Sequence, residues 1–149
     1  MERIAVCVDG VEDENVIAAA IPWVSRFGEV EVLCAYGDVA GRELQHARDR
    51  HGRPPPPRPH HDDETFDREQ AEAIAARGVT LMAQQNVKAG ARVISGRDAG
   101  HALAAASGSE VALLLAAGHR EDVGPHSVGH VARFVVDHAR GPLIVIRVR

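Results

Sequence analysis

Aromatic side chains are scarce in this sequence, and their scarcity restricts how a core can be built. Phe, Trp and Tyr make up 3% of the 149 residues, whereas hydrophobic residues make up 45%. A chain of this length suits one domain and is long enough to bury a sizeable core. We therefore expect a single domain over residues 1–149, with a core built from Ala, Val, Leu and Ile.

The sequence also lacks a basic surplus, a long apolar run and paired cysteines. Its formal net charge is −4 with neutral histidines, which argues against a nucleic-acid binder because such proteins present a basic face. No apolar run approaches the ~18 residues of a membrane span, and the first residues do not resemble a signal peptide. Cys7 and Cys34 lie inside apolar runs, which indicates buried free thiols in a reducing compartment. These features predict a soluble cytoplasmic protein with no nucleic-acid or membrane partner.

Signatures of three common α/β functions are missing. The glycine pattern of a dinucleotide dehydrogenase does not follow the first apolar run, and Gly-x-Ser-x-Gly of hydrolases is absent. Ser95-Gly96 stands where a receiver domain would carry its phosphoacceptor Asp. Because no nucleophile–base pair is visible, the residues themselves do not indicate a true enzyme.

Apolar runs alternate with amphipathic stretches along the chain, which predicts βαβ units and a mostly parallel sheet. Runs without polar alternation are typical of strands covered on both faces. The pattern predicts an α/β fold in three layers, with five strands and four helices. The predicted strands are Arg3–Val8, Glu29–Tyr36, Lys88–Ser95, Val111–Ala117 and Leu143–Val148; the predicted helices start at Asp13, near Thr65 (ending near Gln85), at Ala99 and near Ser127.

A Pro/His-rich loop at about residues 37–63 interrupts this alternation. It contains the four consecutive prolines Pro54–Pro57 and the histidines His46, His51, His60 and His61. Proline denies the backbone donors that a helix or ladder needs, so Gly52–Asp63 is predicted to be extended and mobile. The histidine spacing matches no structural metal site, and we expect no metal.

The loop after the fourth predicted strand is a candidate phosphate cradle. Gly118, Gly124 and Gly129 lie in it, and Arg120 supplies a cation. A glycine-bearing loop before a helix exposes unpaired backbone N–H groups, and the helix dipole favours an anion there. A simple turn with a capped helix explains the same spacing, so both interpretations stay open.

The segment from Gly118 through Ile146 resembles the C-terminal signature of the universal stress protein (UspA-like) family. Nucleotide-binding members carry Gly-x2-Gly-x9-Gly-Ser/Thr, then a helix and a Pro-led terminal strand. The N-terminal run Arg3–Gly10 is similar to the family's first strand with its terminal Asp. The resemblance implies a Rossmann-like adenine-nucleotide alpha-hydrolase-like fold, a strand order of 3-2-1-4-5, and a homodimer formed through the C-terminal strand.

The resemblance also implies where an adenine nucleotide such as ATP or AMP would bind. A ribose or adenine contact falls on Asp9 beside Gly10, and backbone contacts to the adenine fall on Ala35 and Tyr36. The residues alone leave alternatives open, because Asp9 also suits a turn and the end of the second strand also suits core packing. The full set of implied binding residues is Asp9, Gly10, Ala35, Tyr36, Gly118, Arg120, Gly129 and His130.

Three departures from the family pattern fall on the phosphate loop. Glu121 stands in place of the second glycine, His130 in place of the small hydroxyl residue, and the loop is two residues short. A carboxylate near a triphosphate costs on the order of 1–4 kcal/mol. We therefore predict a cytoplasmic stress-response or regulatory domain with weak or absent ATP binding, at most a weak ATPase activity, and an unidentified protein partner. The alternative is a competent ATP-binding member that acts as a nucleotide-dependent regulator.

Overall fold

The computed structural model describes residues 2–37, 61–117 and 130–148, with side chains from residue 67 onward in the second range. Strands and helices alternate throughout these ranges. Within them lie five strands and four helices: β1 Arg3–Val8, α1 Asp13–Val24, β2 Glu29–Gly37, α2 His61–Gln84, β3 Gly90–Gly96, α3 Ala99–Ala106, β4 Val111–Ala117, α4 His130–His138 and β5 Leu143–Arg147.

The five strands form one sheet in the order β3-β2-β1-β4-β5, as the resemblance implied. All four strand pairings are parallel, with Val6 of β1 opposite Val32 of β2 and Leu114 of β4. After β1 the chain adds β2 and β3 on one side of that strand. It then returns and places β4 and β5 on the other side of β1. Ligands of such sheets bind where the order reverses, at the carboxyl ends of the strands.

Each face of the sheet has its own aliphatic core, which confirms the three-layer arrangement. One cluster joins Ile4 and Val6 of β1 to Ile17 of α1 and Met82 of α2. The other cluster lies on the opposite face, where Ala5 packs with residues of α3 and α4. Its buried members are Ala5, Leu33, Leu103, Val111, Leu113, Leu115, Ala117, Ala132 and Val135. The largest fully buried side chains of the described residues include no aromatic ring, in agreement with the predicted core composition.

The strand predictions for β1 and β4 match the structure to the residue, but other boundaries differ. Helix α2 begins at His61 rather than near Thr65, so the last three residues of the predicted mobile segment are helical. Gly37 belongs to β2. The remainder of the Pro/His-rich loop, residues 38–60, lies outside the described residues.

Further boundaries differ by a few residues. Strand β3 spans Gly90–Gly96 instead of Lys88–Ser95, and β5 ends at Arg147 instead of Val148. Helix α1 ends at Val24, two residues after Pro22, and a turn in which the Phe27 N–H donates to the Val24 carbonyl continues the chain toward β2. Proline removes one backbone donor and disfavours continuation of a helix. Because β1, β2 and β4 stay in place, these shifts do not move the carboxyl edge of the sheet.

Candidate functional site

A cavity of about 210 Å³ opens at the carboxyl ends of β1 and β2. The strands contribute one wall, and the N-terminal half of α2 contributes the other. The lining residues are Asp9, Cys34, Ala35 and Tyr36 from the strands, and Asp67, Gln70, Ala71 and Ile74 from the helix. The structure therefore brings three of the predicted ligand contacts, Asp9, Ala35 and Tyr36, to one cavity.

The turn between β1 and α1 fixes the position of Asp9. Its Oδ1 accepts a hydrogen bond from the backbone N–H of Val11 at 2.9 Å, so the turn role left open by the sequence is present. Gly10 has a φ of +87°, and a Cβ added there would lie 3.0 Å from Cδ1 of Ile74. Glycine suits this position for two reasons: it adopts a positive φ without strain, and it has no Cβ to collide with α2.

Asp13 is a buried carboxyl behind this turn, and only 2% of the residue is exposed. Its Oδ1 accepts from the backbone N–H of Gly10 at 3.1 Å, whereas its Oδ2 has no hydrogen-bond partner among the described residues. Burial raises the pKa of Asp13, and the neighbouring Asp9 carboxylate adds to the rise. The sequence indicated only that Asp13 opens a helix; its second role is to brace the turn that carries Asp9.

The end of β2 forms the floor of the cavity. Pairing with β1 ends at Val8 opposite Cys34, so Ala35 and Tyr36 extend beyond the last residue pair of those two strands. Both residues are half-buried, and Tyr36 also packs against the core shared with α1 and α2. Ala35 and Tyr36 therefore contribute to core packing, and part of each residue also lines the cavity.

Both cysteines are free thiols, as predicted, but their surroundings differ. Cys34 is buried in the floor of the cavity, whereas Cys7 is half-buried and packs on the opposite face of the sheet. Burial raises the pKa of the Cys34 thiol to about 11, and the carboxylates of Asp13 and Asp9 contribute to the rise. Burial also raises the pKa of Cys7. A thiol with a raised pKa is a poor nucleophile, so neither cysteine is suited to covalent chemistry.

The α2 wall was missed as part of a site by sequence reasoning. Asp67, Gln70, Ala71 and Ile74 recur at spacings of three and four, which places them on one face of the helix. Ala71 and Ile74 belong to the apolar stripe of this helix, and both contact the core. Asp67 and Gln70 lie on the same helical face and also line the cavity. Their polar side chains next to the apolar stripe are the sequence feature that could have indicated a site on this helix.

The predicted phosphate loop falls mostly outside the described residues. Gly118, Arg120 and Gly129, together with Glu121, lie in the range 118–129, which the structure does not describe. His130 is the first described residue of α4 and is exposed; it is not among the described residues that line the cavity. The structure thus describes the adenosine half of the predicted site and leaves the phosphate half as a prediction.

A second polar cluster connects the start of α3 with α4. The Nδ1–H of His101 donates to both carboxylate oxygens of Asp98, at 2.9 and 2.8 Å, and the backbone N–H of His101 donates to Oδ1 at 2.8 Å. The ring of Phe134 lies between His101 and His138, with centroid distances of 4.2 and 4.0 Å. The Nδ1–H of His138 donates to the Phe134 carbonyl. Asp98 is also the N-cap of α3.

The described ranges contain neither a metal-binding cluster nor a helix suited to a membrane. No three His, Cys, Asp or Glu side chains converge there in a way that would hold a metal ion. The histidines of the Pro/His-rich loop have no described side chains. None of the described helices combines the length and the apolar character that crossing a membrane would require.

Neither a family model nor a curated protein matches this sequence. Solved structures do match the fold. A universal stress protein from Archaeoglobus fulgidus is 18% identical, with 98% of this chain and 93% of that chain covered and a TM-score of 0.61. UspA from Lactobacillus plantarum is 20% identical, with 99% and 97% covered and a TM-score of 0.55. A structure of the universal stress protein from Archaeoglobus fulgidus in complex with dAMP is 16% identical, with 98% of each chain covered and a TM-score of 0.54.

These identities are low, so the likeness concerns the fold. The chain is a Rossmann-like α/β protein with a five-stranded parallel sheet. More specifically, it has the fold of universal stress proteins over nearly its whole length.

Proposed function

We propose that this chain is a universal stress protein-like regulator that binds the adenosine part of an adenine nucleotide in the cavity beside Asp9. The observation that carries the proposal is the convergence of Asp9, Ala35 and Tyr36 on one cavity at the carboxyl ends of β1 and β2, the edge of the sheet at which doubly wound folds bind ligands. A structural neighbour with this fold was solved in complex with dAMP, which supports an adenine nucleotide as the class of ligand.

The cavity suits part of a nucleotide better than a whole triphosphate. Pockets for drug-sized ligands are about 300–1,000 Å³, whereas the described cavity is about 210 Å³. Its lining combines the half-buried ring of Tyr36, the aliphatic groups of Ala71 and Ile74, and the hydrogen-bond acceptors of Asp9. An apolar wall with a few polar groups is what a purine ring and its sugar require.

We further propose that ATP binds weakly, because the phosphate loop carries Glu121 and is two residues short of the family pattern. The expected dissociation constant is about 0.1 mM or higher, which corresponds to about −5.5 kcal/mol or weaker. A cytoplasmic homodimer that signals through a protein partner completes the proposal. A nucleotide-dependent regulator with tight ATP binding is the alternative that the same experiment separates.

The test of the cavity uses Asp9→Asn, which keeps an oxygen for the Val11 N–H but removes the charge. Adenosine affinity should fall about tenfold, because a hydrogen bond to a carboxylate contributes on the order of 1.5–3 kcal/mol. Asp137→Asn, an exposed position on α4, is the matched control and should bind adenosine as the unmodified protein does. Titration calorimetry measures the adenosine affinity of the unmodified protein and of both variants. Equal adenosine affinity in the two variants would contradict a site at Asp9.

The test of the phosphate loop uses Glu121→Gly with both ATP and adenosine. Removing one negative charge should tighten ATP binding and change adenosine binding little. Glu110→Gly, which alters an exposed carboxylate just before β4, controls for the loss of charge and the added flexibility. Micromolar ATP binding by the unmodified protein would show that the loop tolerates Glu121, and the nucleotide-dependent regulator would then be the better description.

A further inference from the structure

The cavity has apolar surface on two different elements of the fold. Cys34, Ala35 and Tyr36 line it from the end of β2, whereas Ala71 and Ile74 line it from α2. Ile74 is the largest aliphatic side chain among the described residues of this lining. Apolar walls on both sides suit a flat aromatic ring such as a purine base, which would lie between β2 and the side chain of Ile74.

The side chain of Ile74 is held in place by two sets of contacts. It is half-buried and packs against the aliphatic core that β1, β2, α1 and α2 share. It also lies against the β1–α1 turn, where a Cβ added to Gly10 would be 3.0 Å from its Cδ1 and 3.3 Å from its Cγ1. A β-branched side chain has few rotamers in a helix, so Ile74 has little freedom to move aside for a larger ligand.

The small volume of the cavity brings any nucleoside that fills it into contact with Ile74. The cavity is about 210 Å³, whereas pockets for drug-sized ligands are about 300–1,000 Å³. We propose that Ile74 is a specificity-determining residue that restricts this site to purine nucleosides without a bulky substituent on the base. The inference rests on the proposed adenosine site and deepens it, because it assigns selection by the size of the base to one side chain of α2.

The test compares adenosine with two derivatives, one with a benzyl group at N6 and one with a phenyl group at C2. Titration calorimetry gives, for each protein, the dissociation constant of each derivative divided by that of adenosine. This ratio cancels a general loss of affinity. In the unmodified protein at least one of the two ratios should be about ten or higher, because extra atoms forced into a packed space displace their neighbours.

Two variants of Ile74 remove different amounts of the wall. Ile74→Ala removes the γ and δ carbons and should lower the larger ratio about tenfold, since the space they leave admits the substituent. Ile74→Val removes only Cδ1, the atom closest to the position of a Cβ on Gly10, and should lower that ratio about threefold. Because valine is the milder change, this variant carries the test even if the alanine variant does not fold.

Leu81→Ala is the matched control, because it also truncates a half-buried aliphatic side chain of α2 that packs against the same core. Leu81 is not among the described residues that line the cavity. Its ratios should stay within about twofold of those of the unmodified protein, as expected for a site that does not contact the ligand.

The outcomes separate this inference from the proposed function. If adenosine binds but the Ile74 variants change the ratios no more than Leu81→Ala does, the role of Ile74 is overturned and the adenosine site stands. The same conclusion follows if the unmodified protein binds both derivatives as tightly as adenosine. If the unmodified protein does not bind adenosine, the proposed function itself fails, and the inference fails with it.

Discussion

Asp13 shows how a residue that a helix pattern predicts can acquire a second role in the folded chain. Acidic residues are favoured in the first turn of a helix, and that preference was readable in the sequence. The burial of its carboxyl and the hydrogen bond from Gly10 were not readable, because they depend on how the turn after β1 folds back. The consequence is that burial disfavours the ionised form of the Asp13 carboxyl and raises its pKa.

From the raised pKa of Asp13 we predict how the stability of the protein depends on pH. In the unfolded chain the carboxyl ionises near pH 3.9, whereas in the folded protein burial keeps it protonated to higher pH. The native state therefore loses stability as the pH rises above the unfolded value, until the pH passes the raised folded pKa. Asp13→Asn keeps the acceptor for Gly10 and removes this loss.

The measurement is the free energy of urea unfolding of wild type and Asp13→Asn between pH 4 and 8. As the pH rises, the free energy of unfolding of the variant should increase relative to that of the wild type, and the difference should then level off. Asp137→Asn makes the same chemical change on an exposed helical surface. A difference for Asp13→Asn that stays constant across this range would show that the carboxyl is not held neutral.

For Asp98 we predict a pH dependence of stability with the opposite sign. Burial raises the pKa of Asp98, but the hydrogen bonds from the backbone and ring of His101, together with the nearby charge of Arg97, outweigh it and lower the pKa. A carboxyl with a lowered folded pKa stabilises the protein above its unfolded pKa, and the stability is lost as the pH falls through the folded value. The pair is nearly half exposed, so its contribution is moderated by solvent.

Asp98→Ala should lower the free energy of unfolding at pH 7 by about 1 kcal/mol, the usual cost of removing an N-cap. Asp98→Asn retains a capping oxygen and should cost less. Urea unfolding at pH 7 and again near pH 2.5 should show the deficit of the alanine variant shrinking in acid. Equal deficits at both pH values would indicate that capping by a carboxylate plays no part.

At the scale of elements, the contact between α2 and β2 depends on Gly78. A Cβ added at this position would lie 2.5 Å from Cγ1 of Val32, a β-branched and fully buried side chain. Alanine raises helix propensity by up to ~1 kcal/mol over glycine, but overpacking a well-packed core costs about 1–3 kcal/mol. The steric cost is larger, because valine in a strand has little freedom to move aside.

Gly78→Ala should therefore destabilise the protein by about 1 kcal/mol despite its better helix propensity. Gly90→Ala is the control, since a Cβ there meets nothing within 4 Å. It should be neutral or slightly stabilising, because it reduces the entropy of the unfolded chain. Chemical denaturation measures both variants. A Gly78→Ala protein as stable as the wild type would mean that the helix shifts away from the sheet at no cost.

Elements differ in how far the sequence predicts them, and the reason is burial. β1 and β4 are inner strands covered on both faces, so most of each strand is an uninterrupted apolar run, and these runs end at Asp9 and Gly118. β3 is at an edge of the sheet and is largely exposed or half-buried, so it has a weaker signal and its start was misplaced. The beginning of α2 was missed because prolines and histidines precede it.

At the scale of the whole molecule, the candidate site is created by topology. Asp9 and Asp67 are far apart in sequence, and no local pattern pairs them. Both line one cavity because β1 lies in the centre of the sheet next to β2, and α2 covers the carboxyl ends of these two strands. The strand residues of the site were predictable from the family resemblance, since strand ends are fixed points of the fold. The helical wall was not, because the register of a helix across a sheet is set by packing.

The strand order also determines which part of the molecule is available for assembly. β5 lies at an edge of the sheet, next to β4. An edge strand presents backbone groups that can pair with another chain. Val145 in the middle of β5 is 37% exposed, whereas Ile146 is 9% exposed and belongs to the core. The predicted homodimer through this strand is therefore best tested at Val145, since charge at Ile146 would disrupt folding.

Val145→Lys should shift the protein from dimer to monomer in light scattering at micromolar concentration, because two lysines would meet across the paired edge strands and charged edges resist pairing. Val145→Thr keeps the β-branched shape that suits a strand and should remain dimeric. Circular dichroism should show that both variants are folded, since the altered side chain faces solvent. A monomeric wild type under the same conditions would refute dimerisation, and a dimeric Val145→Lys would place the interface elsewhere on the molecule.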